Sequence, residues 1–299
     1  MSRRTTSASS ISGTASSRAE RLLRSASLVL PATLLLCGLL VAPMAFLFRI
    51  SLNTYSAQTL MVEALDPGNY IRAVADPYYR GVLATTLVVA LLCTALSLVI
   101  AFPAAYWLAR MQSGWKSLAV IFTLFPLLVG NVVRAAGWMA LLGRGGALSA
   151  ALRALGLAEA EGVQLLYTPS AVVIGTVAVV APYMILTLAA VIEGIPQQLE
   201  EAAANLGAQP MTVFRRVILP QAMPGVIASA VLVFILCMNA YATPVLLGGP
   251  QFKMMAPAVY DQFVLGTNWP FGAALAFILL VVTLGLVTFG GAALGRERR

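Results

Sequence analysis

Histidine is absent from the 299 residues, and only 10% of them are charged. Without imidazole the chain lacks both the side chain most used for proton transfer near neutral pH and the commonest metal ligand. An ordinary soluble domain carries about 25% charged residues because its surface faces water. A chain this poor in charge cannot cover a soluble surface of its size. Cysteine is scarce too: Cys37, Cys93 and Cys237 each lie within an apolar run and in no CxxC pattern. That spacing supports neither a zinc site nor a disulfide framework, and the three are expected to be small buried packing residues. Hydrophobes are abundant, 60% of the chain at a mean hydropathy of +0.89. Collagen-like, disulfide-scaffold and disordered classes are excluded by these numbers, and the bilayer remains as solvent.

Net charge is +8, yet the cations sit at the ends of apolar runs and not along one face. That is an orientation pattern for a membrane, and no nucleic-acid surface is expected. Residues 1–27, rich in Ser, Thr and Arg, are expected to form a disordered cytoplasmic tail, because burial could not offset the entropy of ordering them. The tail is too long and polar for a signal-peptide n-region, and the run after it has no A-x-A-like cleavage site, so that run counts as the first span. Uncharged runs of spanning length recur at 28–48, 81–109, 117–142 (interrupted only by Arg134), 169–192, 224–247 and 271–294. At these lengths only helices satisfy the backbone in lipid. The expectation is an all-α membrane protein of six transmembrane helices, one domain over 28–295.

Orientation follows from Lys and Arg on alternate sides. One side collects twelve, in the tail, at Arg110 and Lys116, at Arg215 and Arg216, and at the C-terminus. The other holds five: Arg72, Arg80, Arg144, Arg153 and Lys253. Both termini are therefore expected in the cytoplasm. The outer loops 51–80, 143–168 and 248–270 are long enough to dock another protein.

No G-x-x-x-x-G-K-[ST] phosphate loop is present; neither Lys116 nor Lys253 follows one. The chain is thus expected to be non-catalytic, with energy supplied by another subunit or by an ion gradient. A secondary transporter or channel is the reading from another class. It calls for carboxylates inside the spans, and the runs offer only Glu193 at one end.

Between the fourth and fifth runs, residues 197–220 read as a strong helix former to Leu206, closed by Gly207, then a second short helix from Pro210 towards Leu219 and Pro220. The small Ala202, Ala203 and Ala204 let another backbone approach, and Glu200 and Glu201 can pair with its cations. Glu201-Ala202-Ala203, Gly207 and Val217-x-Leu219-Pro220 resemble the EAA loop of ABC-importer permease subunits, departing only in Val for Ile at 217. The resemblance implies a cytoplasmic coupling helix between helices 4 and 5, seated on an ABC ATPase dimer through Glu200, Glu201, Ala202, Ala203, Gly207, Leu219 and Pro220. It also implies a second permease subunit, an extracytoplasmic solute-binding protein, a bacterial inner-membrane location among lipids, and ATP and Mg bound by the partner rather than by this chain.

A finer resemblance runs through Asn69-Tyr70, Asp76-Pro77, Arg134-x-x-Gly-Trp138, Leu166-Tyr167-Thr168, Pro244-x-Leu-Leu-Gly-Gly-Pro250 and Asn268-Trp-Pro-Phe-Gly-Ala-Ala274. These are similar to the spermidine/putrescine class of permease. Placed by depth at about 1.5 Å per residue, Trp138, Tyr183, Asn239 and Tyr241 are candidates for the substrate path, since aromatics suit an amine through cation–π contact, and Asp261 joins them as the best available carboxylate on a polyamine's route. Arg49 and Arg134 fall near the outer boundary as a candidate outer gate, paired with Asp261 in a short helix at 257–265; the alternative for both is snorkelling to headgroups. Two arginines beside a cation route would repel it and favour an opine, an aminophosphonate or another zwitterionic or anionic cargo. The family resemblance favours polyamine.

Overall fold

The computed structural model describes residues 11–112, 114–156 and 164–296. The described elements are helical, with one isolated bridge between Thr54 and Val62. Helix α1 runs Ile11–Ser51, α2 Gly68–Ala75, α3 Pro77–Arg110, α4 Trp115–Leu128, α5 Asn131–Leu142, α6 Ala147–Ala154, α7 Pro169–Glu193, α8 Gln198–Asn205 and α9 Pro210–Val213. A π-helical stretch, Phe214–Ile218, leads into α10, Leu219–Met238; α11 is Ala242–Gly248 and α12 Met255–Tyr260, which continues as a second π-helical stretch, Asp261–Leu265, before α13, Trp269–Arg296.

Among the described residues five helices are long and apolar enough to cross a membrane, and six spans result when the bent pair α4–α5 counts as one. The third apolar run is therefore not a straight helix: it turns by 96° at Val129–Gly130. Pro126 inside α4 removes a helix donor, and Gly130 follows in an extended conformation. The carbonyls freed at the bend would be costly in lipid. Arg134 supplies donors to them, reaching the Pro126 oxygen and, at 2.8 Å, the Val129 oxygen. The fifth run also differs from expectation, ending as a helix at Met238 and restarting at Ala242. Pro244 accounts for this, because a continuous helix would drive its ring into the carbonyl of Ala240.

Residues 11–27 are the first part of α1, ahead of its apolar span Thr33–Ser51. Residues 1–10 lie outside the described residues. Cys37 on α1 is exposed, whereas Cys93 and Cys237 are buried as expected.

The centre of the molecule is α3, α7 and α10, with Ala90, Cys93, Ala101 and Ala105 of α3 fully covered beside Met184, Leu188 and Ile192 of α7 and Val233 of α10. Without water to drive helices together in lipid, small residues that permit close approach do so. Gly225 of α10 is one: a Cβ there would stand 2.6 Å from the Val191 Cγ2 of α7. Helix α12 is seated against α3 by the Met255 N–H, which donates to the Thr86 hydroxyl at 2.8 Å. Helix α1 lies outside this centre, packed on α13 through Phe48 and Phe277 at 5.3 Å. Its Leu34, Leu35, Leu39 and Leu40 stay more than half exposed.

Candidate functional site

The loop between α7 and α10 is built as its sequence demands. Gly207 has φ +79°, the left-handed value that a helix-closing residue adopts. Its N–H donates to the Ala204 carbonyl at 2.9 Å, and the Ala208 N–H donates to the Ala203 carbonyl at 3.1 Å. These two bonds are the pair that closes a Schellman cap. The second half of the loop is held inward by Val213 and Ile218, both buried, and by Phe214 edge-on to Phe102 of α3 at 5.2 Å. Leu219 is half-buried at the start of α10 and Pro220 is exposed beside it.

The two acidic residues of α8 part company. Glu200 accepts from the Tyr106 hydroxyl at 2.8 Å and from the Arg110 Nε at 2.9 Å, with the Arg110 Nη2 on the same carboxylate. Its side chain is 13% exposed and that of Arg110 is 16%, so it holds the loop to α3 and does not face outward as expected. Glu201, Ala202 and Gly207 are exposed and Ala203 is half-buried, while Leu206 stands 88% exposed at the tip. Two further ties run alongside: Lys116 to Glu193 at 2.8 Å and Gln112 to Gln197 at 3.4 Å. Tyr106 and Arg110 were not singled out from the sequence as part of this loop. Their spacing of four on α3, one helical turn apart, was the available signal.

Away from this loop, the two helix breaks border one cavity of about 450 Å3. It brings together Tyr183 of α7 with Asn239 and Tyr241 at the α10–α11 break, and adds Asn131 from the start of α5 and Thr176 of α7. The Tyr241 ring lies 4.9 Å from that of Tyr260. Trp138 is not among the lining residues; it is half-buried against the core.

The expected outer gate is not assembled either. Asp261 pairs with Lys253 at 2.8 Å, not with an arginine. Arg49 bonds the Asn53 side chain and, at 3.0 Å, the Ala64 carbonyl. Arg134 Nη2 is bound to the Pro126 and Val129 carbonyls, and its Nε and Nη1 are buried without a partner. A short helix does form at the expected place, as α12 and the turn after it. Among the described residues no cluster of His, Cys, Asp and Glu suits a metal ion.

These features define a multi-pass inner-membrane transport subunit, a permease of the ABC importer type. The chain belongs to the family of binding-protein-dependent transport system inner membrane components, whose sequence pattern matches residues 162–295. It is 35% identical, over 76% of its length and 81% of the relative, to the spermidine/putrescine transport system permease protein PotB of Escherichia coli K12. Identity is 33% to the PotB of Haemophilus influenzae, over 85% of this chain and 86% of that protein. In three dimensions it is similar to a chain of a bacterial ABC transporter involved in the import of the acidic polysaccharide alginate, with a TM-score of 0.73 at 19% identity, covering 94% of this chain and 98% of that one.

Proposed function

We propose that the chain forms one half of the pore of an ATP-driven importer of spermidine and putrescine, with both termini and the 197–220 loop in the cytoplasm. The observation that carries the coupling role is the capped α8, which turns Glu201, Ala202 and Leu206 outward on a helix short enough to seat in a groove of another protein. The ATPase dimer binds ATP and Mg and supplies the energy; this chain carries no catalytic residue and no cofactor. Movement of the loop passes into the membrane through its covalent neighbours α7 and α10 and through the ties from Arg110, Gln112 and Lys116. Six spans are half of the usual twelve, so a second permease completes the pore within the lipid, and a solute-binding protein docks on the outer loops, of which residues 157–163 lie outside those described. The cargo rests on the PotB relatives.

The test is ATP-dependent uptake of labelled spermidine by proteoliposomes holding the full importer with its binding protein. Glu201→Lys and Gly207→Val should each abolish uptake and co-purification of the ATPase while leaving membrane insertion intact. At Gly207 the left-handed backbone adds about 1 kcal/mol of strain for most other residues. Normal uptake and co-purification in both variants would refute the coupling role.

A further inference from the structure

Two interrupted helices meet at the cavity described above: α5 begins there with Asn131, and Asn239 caps the end of α10 there. Interrupted helices are a means by which transporters present polar groups to a ligand inside the bilayer. Two of the polar groups here are unspent. Thr176 is 2% exposed, and its Oγ1 has no hydrogen-bond partner. Elsewhere in the spans threonine hydroxyls are tied to the carbonyl one turn back, as at Thr86, Thr94 and Thr187. Asn239 spends its amide N–H on the Ile235 carbonyl at 2.9 Å, which leaves its Oδ1 to accept from something else. Beside these oxygens stand the rings of Tyr183 and Tyr241 and the aliphatic wall of Val180 and Leu236, and no charged side chain lines the space.

An alkylammonium group has three donors and no acceptor. It is matched by neutral oxygens and π faces, and the methylenes beside it are matched by an aliphatic wall. A carboxylate or phosphonate calls for a guanidinium or ammonium partner. Arg134, one turn along α5 from Asn131, does not line the cavity: its Nη2 is on the Pro126 and Val129 carbonyls, and its Nε and Nη1 are buried without a partner. The amino ends of α5 and α11 are the features here that draw an anion, which makes an aminophosphonate the informative competitor.

We propose that this cavity is a cargo subsite within the permease itself, taking one primary ammonium group of an alkyl polyamine on Thr176 Oγ1 and Asn239 Oδ1 between the Tyr183 and Tyr241 rings. The proposal rests on the amine-import reading and adds where and how this subunit holds the amine. A neutral site holds a cation loosely, which lets it pass on towards the cytoplasm.

The test is thiol protection in the reconstituted full importer, with Val179→Cys on the cavity wall as the probe and Cys37→Ser removing the exposed native thiol. Putrescine and spermidine should slow labelling at position 179, and 2-aminoethylphosphonate at equal ionic strength should not. Thr176→Val or Asn239→Leu should raise the half-protecting amine concentration about tenfold, and Thr176→Ser, which keeps the hydroxyl, should restore it. Spermidine uptake is read in the same vesicles. Uptake without amine protection, or protection by the phosphonate as strong as by the amines, overturns the subsite and leaves the importer reading intact. Loss of uptake and protection together in the otherwise unmutated importer overturns both.

Discussion

Glu200 and Glu201 are neighbours in sequence and opposites in surroundings. The first is enclosed by Tyr106 and Arg110; the second faces out from α8. Removing the enclosed charge leaves the Arg110 guanidinium largely buried without its counterion, a cost of about 1–3 kcal/mol for such a group. Glu200→Gln should therefore lower the thermal midpoint of the detergent-solubilised importer, whereas Glu201→Gln should leave it within about 0.5 kcal/mol of the parent, as an exposed site does. A double-mutant cycle with Arg110→Met reads the pair directly: additive losses would show that the two side chains do not interact. The acidic pair was legible in the sequence as a charged stretch of the loop. Its division into an inward and an outward member was not, because the partner that turns Glu200 inward lies 90 residues upstream.

At the scale of elements, the broken helices carry the difference between a hydropathy profile and a transport path. Arg134 illustrates it, since a cation in an apolar run suggested a gate or a snorkelling side chain, and its place is on the carbonyls of a bend. Arg134→Leu would leave the Pro126 and Val129 oxygens without those donors. The expected cost is about 1–3 kcal/mol, seen as faster proteolysis near residue 130 and a lower melting temperature; a variant as stable as the parent would show that the bend needs no such donor. Pro244→Ala removes the block to a continuous helix across 239–241 and should reduce uptake without loss of stability. At the α7–α10 crossing, Gly225→Val would push a Cβ into Val191 and should destabilise by about 1–3 kcal/mol, as overpacking does. Pro126, Gly130 and Pro244 stood in the sequence as signals of these breaks, but a run of hydrophobes reads as one helix until the bend is seen in three dimensions.

The whole molecule reads as a tight three-helix centre with a loosely attached first helix and a loop tied to α3. Its class was legible because hydropathy and a glycine-closed loop are local properties of the chain. The cavity was only partly so: Tyr183, Asn239 and Tyr241 could be placed by depth, while Thr176 and Asn131 join them only once α5, α7, α10 and α11 are packed. Orientation is open to direct measurement. Membrane-impermeant thiol reagents applied from outside should label Ser56→Cys and Gln262→Cys but not Ala208→Cys, and labelling of the last would reverse the topology.

One property of the cavity reaches beyond binding. Its wall holds neither a histidine nor a carboxylate, so no side chain there changes charge between about pH 5 and 8. A cargo held in the proposed subsite would therefore leave without a protonation step in its wall, and in the proposed importer the direction of travel comes from the ATPase. At fixed ATP, dissipating the pH difference across the vesicle membrane with an electroneutral exchanger should leave the initial rate of uptake unchanged.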